Sequence, residues 1–389
     1  MNAKMKSWAI LLSALWLCVA CGVQSAAPLQ TQMTLAESLN RTDMKGFLRA
    51  DKPRQFSFPA DHGPHEGYAV EWWYYTGNLI DANGREFGYQ FTIFRSTLRP
   101  PTAANSSATQ SAWQGTTAYM AHFAVTAVAG QQFYAYERFN RDAMGIAGAQ
   151  AQPFKVWLDD WQVVSTTPDA SQMHLRASQG EVALDLQLDN SMPPVLQGDA
   201  GLSQKSAGVG NASYYYSVPR MPTTGTLTIA GQAYQVTGTS WMDREWSTSA
   251  LAADQVGWDW FALHLDDGSD VMLYHLRRRD GTIDPYSGGS WRDASGKVTT
   301  LTSADIALQP VGQWTSPHTG AIYPASWQLT IARFGLDVIV MPMLADQELP
   351  VTVRYWEGAV AVKGQRDQLP IQGNGYLEMT GYADGGTRP

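Results

Sequence analysis

The stretch Gly238-Thr-Ser-Trp-Met-Asp-Arg-Glu-Trp-Ser-Thr-Ser249 places three consecutive charges between two tryptophans. Buried charges are costly unless they pair or form hydrogen bonds, so this run indicates an unusual environment. If the stretch is a β-strand, Trp241, Asp243 and Glu245 point to one side and Arg244 points to the other. The residues alone leave two interpretations open. Either the carboxylates form an acid site that faces an apolar ligand, or the charges form a structural ion pair that closes a barrel or joins two domains.

The composition around this stretch favours β structure. The chain has 389 residues, more than a single hydrophobic core usually serves, so two domains are expected. It contains 15 Trp, 17 Tyr, 12 Phe and 35 Gly and lacks long runs of helical periodicity, which favours an all-β fold. The formal net charge of −8 offers no basic surface, so nucleic acid is not expected as a partner.

The N-terminus has the features of an export signal. Lys4 and Lys6 precede the apolar run 8–20, which is too short to cross a bilayer comfortably. The sequence therefore predicts a lipoprotein signal peptide over residues 1–21. A polar tether over residues 22–60, with a short helix near residues 35–48, is expected to follow.

Cys21 is the residue expected to carry the lipid, because small residues precede it at the end of the apolar run. The protein would then be periplasmic and anchored to the bacterial envelope membrane. The alternative is ordinary cleavage near residues 25–27, which would give a secreted soluble protein. The other cysteine, Cys18, lies inside the signal, so no disulfide is expected to brace the fold.

Two strong hairpin patterns organise the rest of the chain. Residues 70–80 and 86–97 flank a turn that contains Asn-Gly, and residues 258–277 form a second aromatic hairpin. In the first strand Trp73 shares one face with Glu71 and Tyr75. Both faces are aromatic, so both are expected to be covered, one by a barrel interior and one by a neighbouring domain. The loop 100–114 and the linker-like loop 193–210 separate strands.

Arg95 ends the apolar face of the returning strand and is a candidate partner for Glu71; an arginine that reaches solvent is the alternative. His122 lies in an apolar run, where a satisfied core histidine is the more ordinary interpretation. His62 and His65 form an H-x-x-H pair without a clear third ligand, so no metal is expected.

Five stretches together resemble the AttH and carotenoid 1,2-hydratase family, also called predicted secreted hydrolases. They are Glu71-Trp-Trp-Tyr-Tyr-Thr-Gly-Asn-Leu79, Tyr214-Tyr-Tyr-Ser-Val-Pro-Arg-Met221, Ser240-Trp-Met-Asp-Arg-Glu-Trp-Ser247, Gly257-Trp-Asp-Trp-Phe-Ala-Leu-His-Leu265 and Gly373-Asn-Gly-Tyr-Leu-Glu-Met-Thr-Gly381. The resemblance implies an all-β fold of two lipocalin-like antiparallel β-barrels side by side, with a ligand site at or between them. We expect the first barrel over residues 61–240 and the second over residues 241–389.

The resemblance also implies a function. The carotenoid branch hydrates a terminal polyene double bond without a cofactor, so none is expected here. The AttH branch contains secreted lipoproteins associated with ABC-transporter loci. A hydrophobic small molecule, of terpenoid, polyene or lipid-like character, is the expected ligand, and the lipid anchor and ABC-transporter components are the other expected partners.

Hydration of an alkene needs a strong general acid, aromatic faces for the cation and a placed water. Asp243 is the expected acid, with Glu245 or Glu71 as base and His264 as a further acid–base candidate. Aromatic and basic side chains from the same motifs and strands are expected to contact the ligand. They are Trp241, Arg244, Trp73, Tyr75, Arg95, His122, Tyr216, Trp258 and Trp260.

Two other functions are also compatible with the sequence. A non-catalytic carrier or accessory lipoprotein of an ABC-transporter system would explain the anchor and the aromatic barrels. A hydrolase is the second alternative, although the sequence has no G-x-S-x-G elbow and residues 238–241 match only part of that pattern.

Overall fold

The computed structural model describes residues 33–34, 45–100, 115–249 and 251–382. The expected signal peptide, Cys21 and nearly all of the loop 100–114 lie outside the described residues. So does most of the expected short helix, of which the described residues 45–48 form a turn and bend over 45–47 rather than a helix. A short strand, β1 (Met33–Thr34), pairs in parallel with residues 353–354.

The first sheet has thirteen strands, and its paired neighbours run antiparallel. They are β2 (Val70–Asp81), β3 (Glu86–Thr97), β4 (Thr117–Ala127), β5 (Gln132–Arg141), β6 (Ala147–Gln150), β7 (Lys155–Leu158), β8 (Trp161–Ser165), β9 (Gln172–Gln179), β10 (Val182–Asp189), β11 (Val195–Leu196), β12 (Leu202–Gln204), β13 (Ala212–Ile229) and β14 (Gln232–Ser247). The order across the sheet is β5-β4-β3-β2-β14-β13-β10-β9-β8-β7-β6, and β11 and β12 pair with β13. Because β7 comes back into contact with β3, β4 and β5, the sheet curls into a nearly closed barrel.

The second sheet has nine strands and forms a half-barrel beside the first. Its strands are β15 (Gln255–Leu265), β16 (Asp270–Arg278), β17 (Gly288–Arg292), β18 (Val298–Thr302), β19 (Ala307–Thr315), β20 (Ile322–Ile331), β21 (Leu336–Pro342), β23 (Trp356–Arg366) and β24 (Leu369–Met379); β22 (Val353–Arg354) is the partner of β1. Their order is β18-β17-β16-β15-β24-β23-β21-β20-β19. The prediction of an all-β fold with two barrel-like sheets side by side is confirmed.

Short 3-10 turns complete the described secondary structure: Ala60–His62, Ala143–Gly145, Ser303–Asp305 and Ala332–Phe334. No helix in the described part of the chain is long and apolar enough to cross a membrane.

Two expected boundaries differ from the structure. The boundary between residues 240 and 241 falls inside β14, which pairs with β13 and β2 along its length, so the first sheet continues to Ser247. The expected linker-like loop 193–210 contains β11 and β12, because its residues extend the ladder of the long strand β13.

The alternation of side chains along β2 and β14 gives each strand two buried faces. Trp73 and Tyr75 belong to the core of the first barrel. Tyr74 and Trp241 point the other way and pack in a cluster with Trp260 of the second sheet. The prediction that both faces of the first aromatic strand are covered, one by the barrel and one by its neighbour, is confirmed.

Gly88 on β3 lets the two sheets approach closely. A Cβ atom at this position would lie 2.5 Å from the Cβ of Ala359 on β23, which is closer than two carbon atoms pack. An ion pair adds to this contact, since Arg220 of the first sheet binds Asp270 of the second at 2.8 Å. The sheets are therefore docked by direct contact, and a cavity remains between their facing strands.

Candidate functional site

A cavity between the two sheets is lined by aromatic rings and by four carboxyl groups. The space that no atom fills, including the part open to solvent, is about 850 Å³. The lining residues come from both sheets and from the chain segments beside them: Trp72, Tyr74, Thr92, Phe94, Lys205, Tyr215, Asp243, Glu245, Ser247, Ser249, Leu251, Trp258, Trp260, Tyr274, Leu276, Tyr355, Glu357 and Glu378.

Cross-strand register explains why these side chains meet. On the first sheet Asp243 lies between Ser217 of β13 and Tyr74 of β2, and Tyr74 is paired with Thr92 of β3. Residues in register point to the same face of a sheet, so this row forms one wall of the cavity. Glu245 follows two residues later on the same face of β14.

A second row crosses the facing sheet. Trp260 of β15 is in register with Tyr274 of β16 on one side and with Glu378 of β24 on the other. Glu378 is in turn opposite Glu357 of β23. The cavity is therefore built from two rows of side chains on facing sheets, and each row carries carboxyl groups.

Asp243 is buried and accepts three hydrogen bonds. The Ser217 hydroxyl and the Trp241 indole N–H each donate to Oδ1 at 2.6 Å, and the Tyr215 hydroxyl donates a short bond to Oδ2. Trp260 donates to the Tyr215 oxygen at 3.1 Å, so both sheets hold this carboxyl in place. Burial raises the pKa of Asp243 to about 7; the three donors oppose the increase, and the charge of Glu245 adds to it. The group thus exists in both protonation states near neutral pH.

Glu245 has a different environment from Asp243. Its Oε1 lies 3.1 Å from the Lys205 ammonium group and also accepts a hydrogen bond from Ser213. Lys205 itself lies over the Tyr274 ring, 4.6 Å from its centroid. An ammonium partner favours the charged carboxylate, so Glu245 and Lys205 form an ion pair at the wall of the cavity.

Glu357 and Glu378 are the other two carboxyl groups. Burial is the main cause that raises the pKa of each, and the charge of Glu357 raises the pKa of Glu378 further. Glu378 accepts a hydrogen bond from the Trp258 indole at 3.1 Å. The hydroxyls of Tyr74 and Tyr355 lie beside Glu357 and oppose the rise of its pKa, and its carboxyl oxygens have no other hydrogen-bond partner among the described residues.

The structure brings several of the sequence-predicted residues together at the cavity. Asp243, Glu245, Trp258 and Trp260 line it. Trp241 does not line the cavity, but its indole N–H donates a hydrogen bond that helps to hold Asp243 in place. These residues are the predicted acid, one predicted base and three of the predicted aromatic contacts.

The face of the first sheet that points away from Asp243 carries three other predicted site residues, Glu71, Arg95 and Arg244. Glu71 binds Arg95 at 2.7 Å and Arg244 at 3.0 Å inside the first barrel. Arg244 also stacks over Trp73, with 4.0 Å between the guanidinium carbon and the ring centroid. The predicted partnership of Arg95 with Glu71 is therefore present. The strand separates Glu71 from Asp243, so these arginines pair with Glu71 rather than with the cavity carboxyls.

Tyr75 and Tyr216 also face the core of the first barrel rather than the cavity. Tyr216 shares a hydrogen bond of 2.6 Å with Nδ1 of His62. His65 lies between Asp61 and Glu71, at 3.2 and 3.3 Å. The two histidines of the H-x-x-H pair thus take part in hydrogen bonds and ion pairs with Tyr216, Asp61 and Glu71. Among the described residues no group of three or more His, Cys, Asp and Glu side chains is placed to hold a metal ion.

The remaining predicted histidines lie beside the cavity without lining it. Nδ1 of His264 is 2.9 Å from Asp270, in the ion-pair cluster that joins the sheets. His122 is fully buried, burial lowers its pKa to about 3, and its Nδ1 shares a hydrogen bond of 2.7 Å with the hydroxyl of Tyr355. His122 therefore positions a tyrosine that lines the cavity.

Sequence reasoning missed Lys205, Tyr215, Glu357 and Glu378. Lys205 lies in the segment 193–210, which the sequence predicts to be a linker-like loop, and Tyr215 lies in the stretch 214–221, which carries the family resemblance without a pattern that singles out this residue. A signal for the two glutamates was available. The hairpin β23–β24 turns at residues 367–368, and Glu357 lies as far before this turn as Glu378 lies after it, so a hairpin places them opposite each other.

Comparison with known proteins identifies relatives of the whole two-sheet structure. A sequence model of the AttH-like family matches residues 49–382. Kievitone hydratase of Fusarium solani subsp. phaseoli is 25% identical over 246 residues, which are 61% of this chain and 68% of that protein. The crystal structure of a protein described as AttH, from Nitrosomonas europaea, is 32% identical with a TM-score of 0.76 and covers 86% of this chain and 100% of its own. The crystal structure of kievitone hydratase from Nectria haematococca is 18% identical with a TM-score of 0.66, and it covers 86% of this chain and 98% of its own.

Proposed function

The chain belongs to the AttH-like family, and from this premise we propose that it is a hydratase-type enzyme that adds water to a carbon–carbon double bond of an apolar ligand. The observation that carries the proposal is a buried carboxyl, Asp243, with a pKa of about 7 in a cavity walled by aromatic rings. A sequence relative named as a hydratase supports this class of chemistry. The apolar walls favour a terpenoid, polyene or lipid-like ligand.

The first step is proton transfer from Asp243 to one alkene carbon. The carboxyl O–H bond breaks, the π electron pair forms the new C–H bond, and the neighbouring carbon becomes a cation. A general acid works best when its pKa is near the working pH, because enough of it is protonated and it still gives up the proton readily. Burial raises the pKa of Asp243 into this range.

The cation formed in this step is stabilised by the walls of the cavity. Trp258, Trp260 and Tyr74 present aromatic rings there, and ring faces attract cations. The ionised Glu245 supplies negative charge on the same strand as the acid, while Lys205 balances part of that charge.

Water completes the reaction by attacking the cation. Its oxygen forms the new C–O bond, and its surplus proton passes to an ionised carboxylate of the cavity. Transfer of a proton back to Asp243 restores the starting state, so the net reaction consumes only water and alkene.

Purified protein incubated with a terpenoid alcohol, a polyene and an unsaturated fatty acid in ¹⁸O-labelled water tests this proposal. We expect one substrate class to gain one labelled hydroxyl group and one hydrogen, detected by mass spectrometry of the extracted product. A ligand that is retained without any labelled product would instead support the carrier function. Hydrolysis of an ester panel without alkene hydration would support the hydrolase alternative.

The pH dependence of hydration follows from the protonation state of Asp243. The pKa of this group rises from 3.8 to about 7 mainly because it is buried, so the protonated acid predominates below about pH 7 and is lost above it. We therefore expect kcat/KM to fall on the alkaline side and to approach a tenfold loss per pH unit. A profile of kcat/KM on the substrate identified above checks this, and a rate that keeps increasing with pH would assign the acid to another group.

We also propose that a lipid on Cys21 holds the protein at the bacterial envelope membrane. The support is the cysteine that directly follows the apolar N-terminal run. In cells fed a labelled fatty acid, the full-length chain should carry the label and sediment with membranes, and Cys21→Ser should do neither. Release of the unmodified wild-type chain into the soluble fraction would favour the secreted form.

A further inference from the structure

The structure assigns the base as well as the acid: we propose that Glu357 and Glu378 together accept the proton of the attacking water. The acid would then come from the first sheet and the base from the second. This inference rests on the proposed hydration and names the residues that complete it.

The first support is the placement of the two glutamates. They are opposite each other on β23 and β24, where Cβ atoms of an antiparallel pair lie about 5 Å apart. Both side chains line the cavity, across from the row that contains Asp243. Tyr74 connects the two rows, since it is in register with Asp243 and its hydroxyl lies beside Glu357.

The second support is the sparse hydrogen bonding of Glu357. The side chain is fully buried, and the hydroxyls of Tyr74 and Tyr355 beside it are the hydrogen-bonding neighbours that the described residues offer to its carboxyl group. A buried carboxyl with so few partners is costly unless further hydrogen bonds reach it. A carboxyl group has about four acceptor sites, so Glu357 keeps acceptor capacity in the cavity for a water molecule.

The other carboxyls of the chain are less suited to this role. Glu245 is bound to Lys205 and Ser213, which hold its oxygens and favour its charged form. Glu71 lies inside the first barrel with two arginines. The pKa of Glu71 is lowered although the group is buried, because His65 and the two arginines stabilise its ionised state, which makes it a weaker base.

The pair also has a suitable charge state. Two carboxyls that face each other across a strand pair do not easily ionise together, and burial raises the pKa of both, so a single negative charge shared by the pair is strongly basic. The titratable groups around the pair are Tyr74, Asp243 and Glu245 of the first sheet, Tyr376 of the second and Tyr355 just before β23, and Lys205 lines the same cavity. The shared negative charge stabilises the cation as it forms. When the water oxygen bonds to carbon, its O–H bond breaks and the proton neutralises the pair.

Steady-state kinetics on the hydrated substrate test the assignment in wild type, Glu357→Gln, Glu378→Gln and the control Glu86→Gln, an exposed glutamate on β3. We expect each of the first two variants to lower kcat by about 10²-fold or more while KM changes little, and the control to match wild type. In wild type kcat should also fall on the acid side, as the pair takes up its second proton. In each single variant this acid limb should move to lower pH, since the remaining carboxyl has no like charge beside it.

Stability measurements separate this function from a structural role. Glu357→Gln replaces a costly buried carboxyl by an amide that can still accept from Tyr74 or Tyr355, so its urea unfolding midpoint at neutral pH should equal or exceed that of wild type. A lowered unfolding midpoint of Glu357→Gln would overturn the base assignment. So would a Glu357→Gln protein whose kcat and acid limb equal those of wild type. In both cases hydration by the wild-type protein would still support the proposed function. A wild-type protein that hydrates no member of the substrate panel would overturn both. Glu357→Asp keeps a carboxyl and should recover part of the kcat.

Discussion

Asp243→Asn is expected to lower the rate of hydration by about 10²–10⁴-fold, the usual contribution of a general acid. The amide has nearly the shape of the carboxyl, and its single oxygen can still accept the hydrogen bonds of Ser217 and Trp241, which both donate to Oδ1, but it has no acidic proton to give to carbon. Aromatic walls that bind the ligand are unchanged. The loss should therefore appear in kcat, with KM close to that of wild type, when both are measured on the substrate that gains labelled oxygen.

Asp259→Asn is the matched control for this experiment. Asp259 is also buried with a raised pKa, but it binds Tyr382 and Arg277 and does not line the cavity. We expect this variant to keep most of its kcat and to lose stability, because Arg277 loses its ion pair. If Asp243→Asn kept wild-type kcat, or if both variants lost it equally, Asp243 would not be the proton donor.

The strand faces of the first sheet could be predicted from the sequence because side chains alternate with period two. The predicted separation of Asp243 from Arg244 therefore holds, and so does the covering of both faces of β2. The pairing of Arg95 with Glu71 also follows from local information. Both lie on one hairpin, and the turn that contains Asn-Gly sets the register that places them opposite each other.

The complete cavity could not be predicted in the same way. Periodicity shows which residues share a face, but it does not show which face of one sheet meets which face of another. Glu71 and Asp243 both lie in aromatic strands, and only the docked structure shows that one faces the barrel core and the other faces the second sheet. Lys205 comes from a segment without a periodic pattern, so its contact with Glu245 depends on the tertiary fold alone.

Arg244→Met is expected to destabilise the protein by about 3–5 kcal/mol, the cost of breaking a buried ion pair. Arg244 is fully buried and donates to Glu71 and to the backbone carbonyls of His62, Gly63 and Trp72. Methionine fills part of the volume of Arg244 but donates no hydrogen bond. The buried charge of Glu71 is then balanced by Arg95 without Arg244, and three backbone carbonyls lose a hydrogen-bond donor. Urea unfolding followed by tryptophan fluorescence measures the change in the free energy of unfolding.

Arg176→Met is the matched control, since Arg176 pairs with Asp185 at 3.3 Å where both side chains are more than half exposed. An exposed pair of this kind contributes about 0–1 kcal/mol, so the control should unfold almost like wild type. At temperatures where Arg244→Met remains folded, its kcat should fall far less than that of Asp243→Asn, although the two residues are neighbours in the chain. The reverse result, a stable Arg244→Met protein without activity, would place Arg244 in the catalytic site and contradict the separation of the two faces of β14.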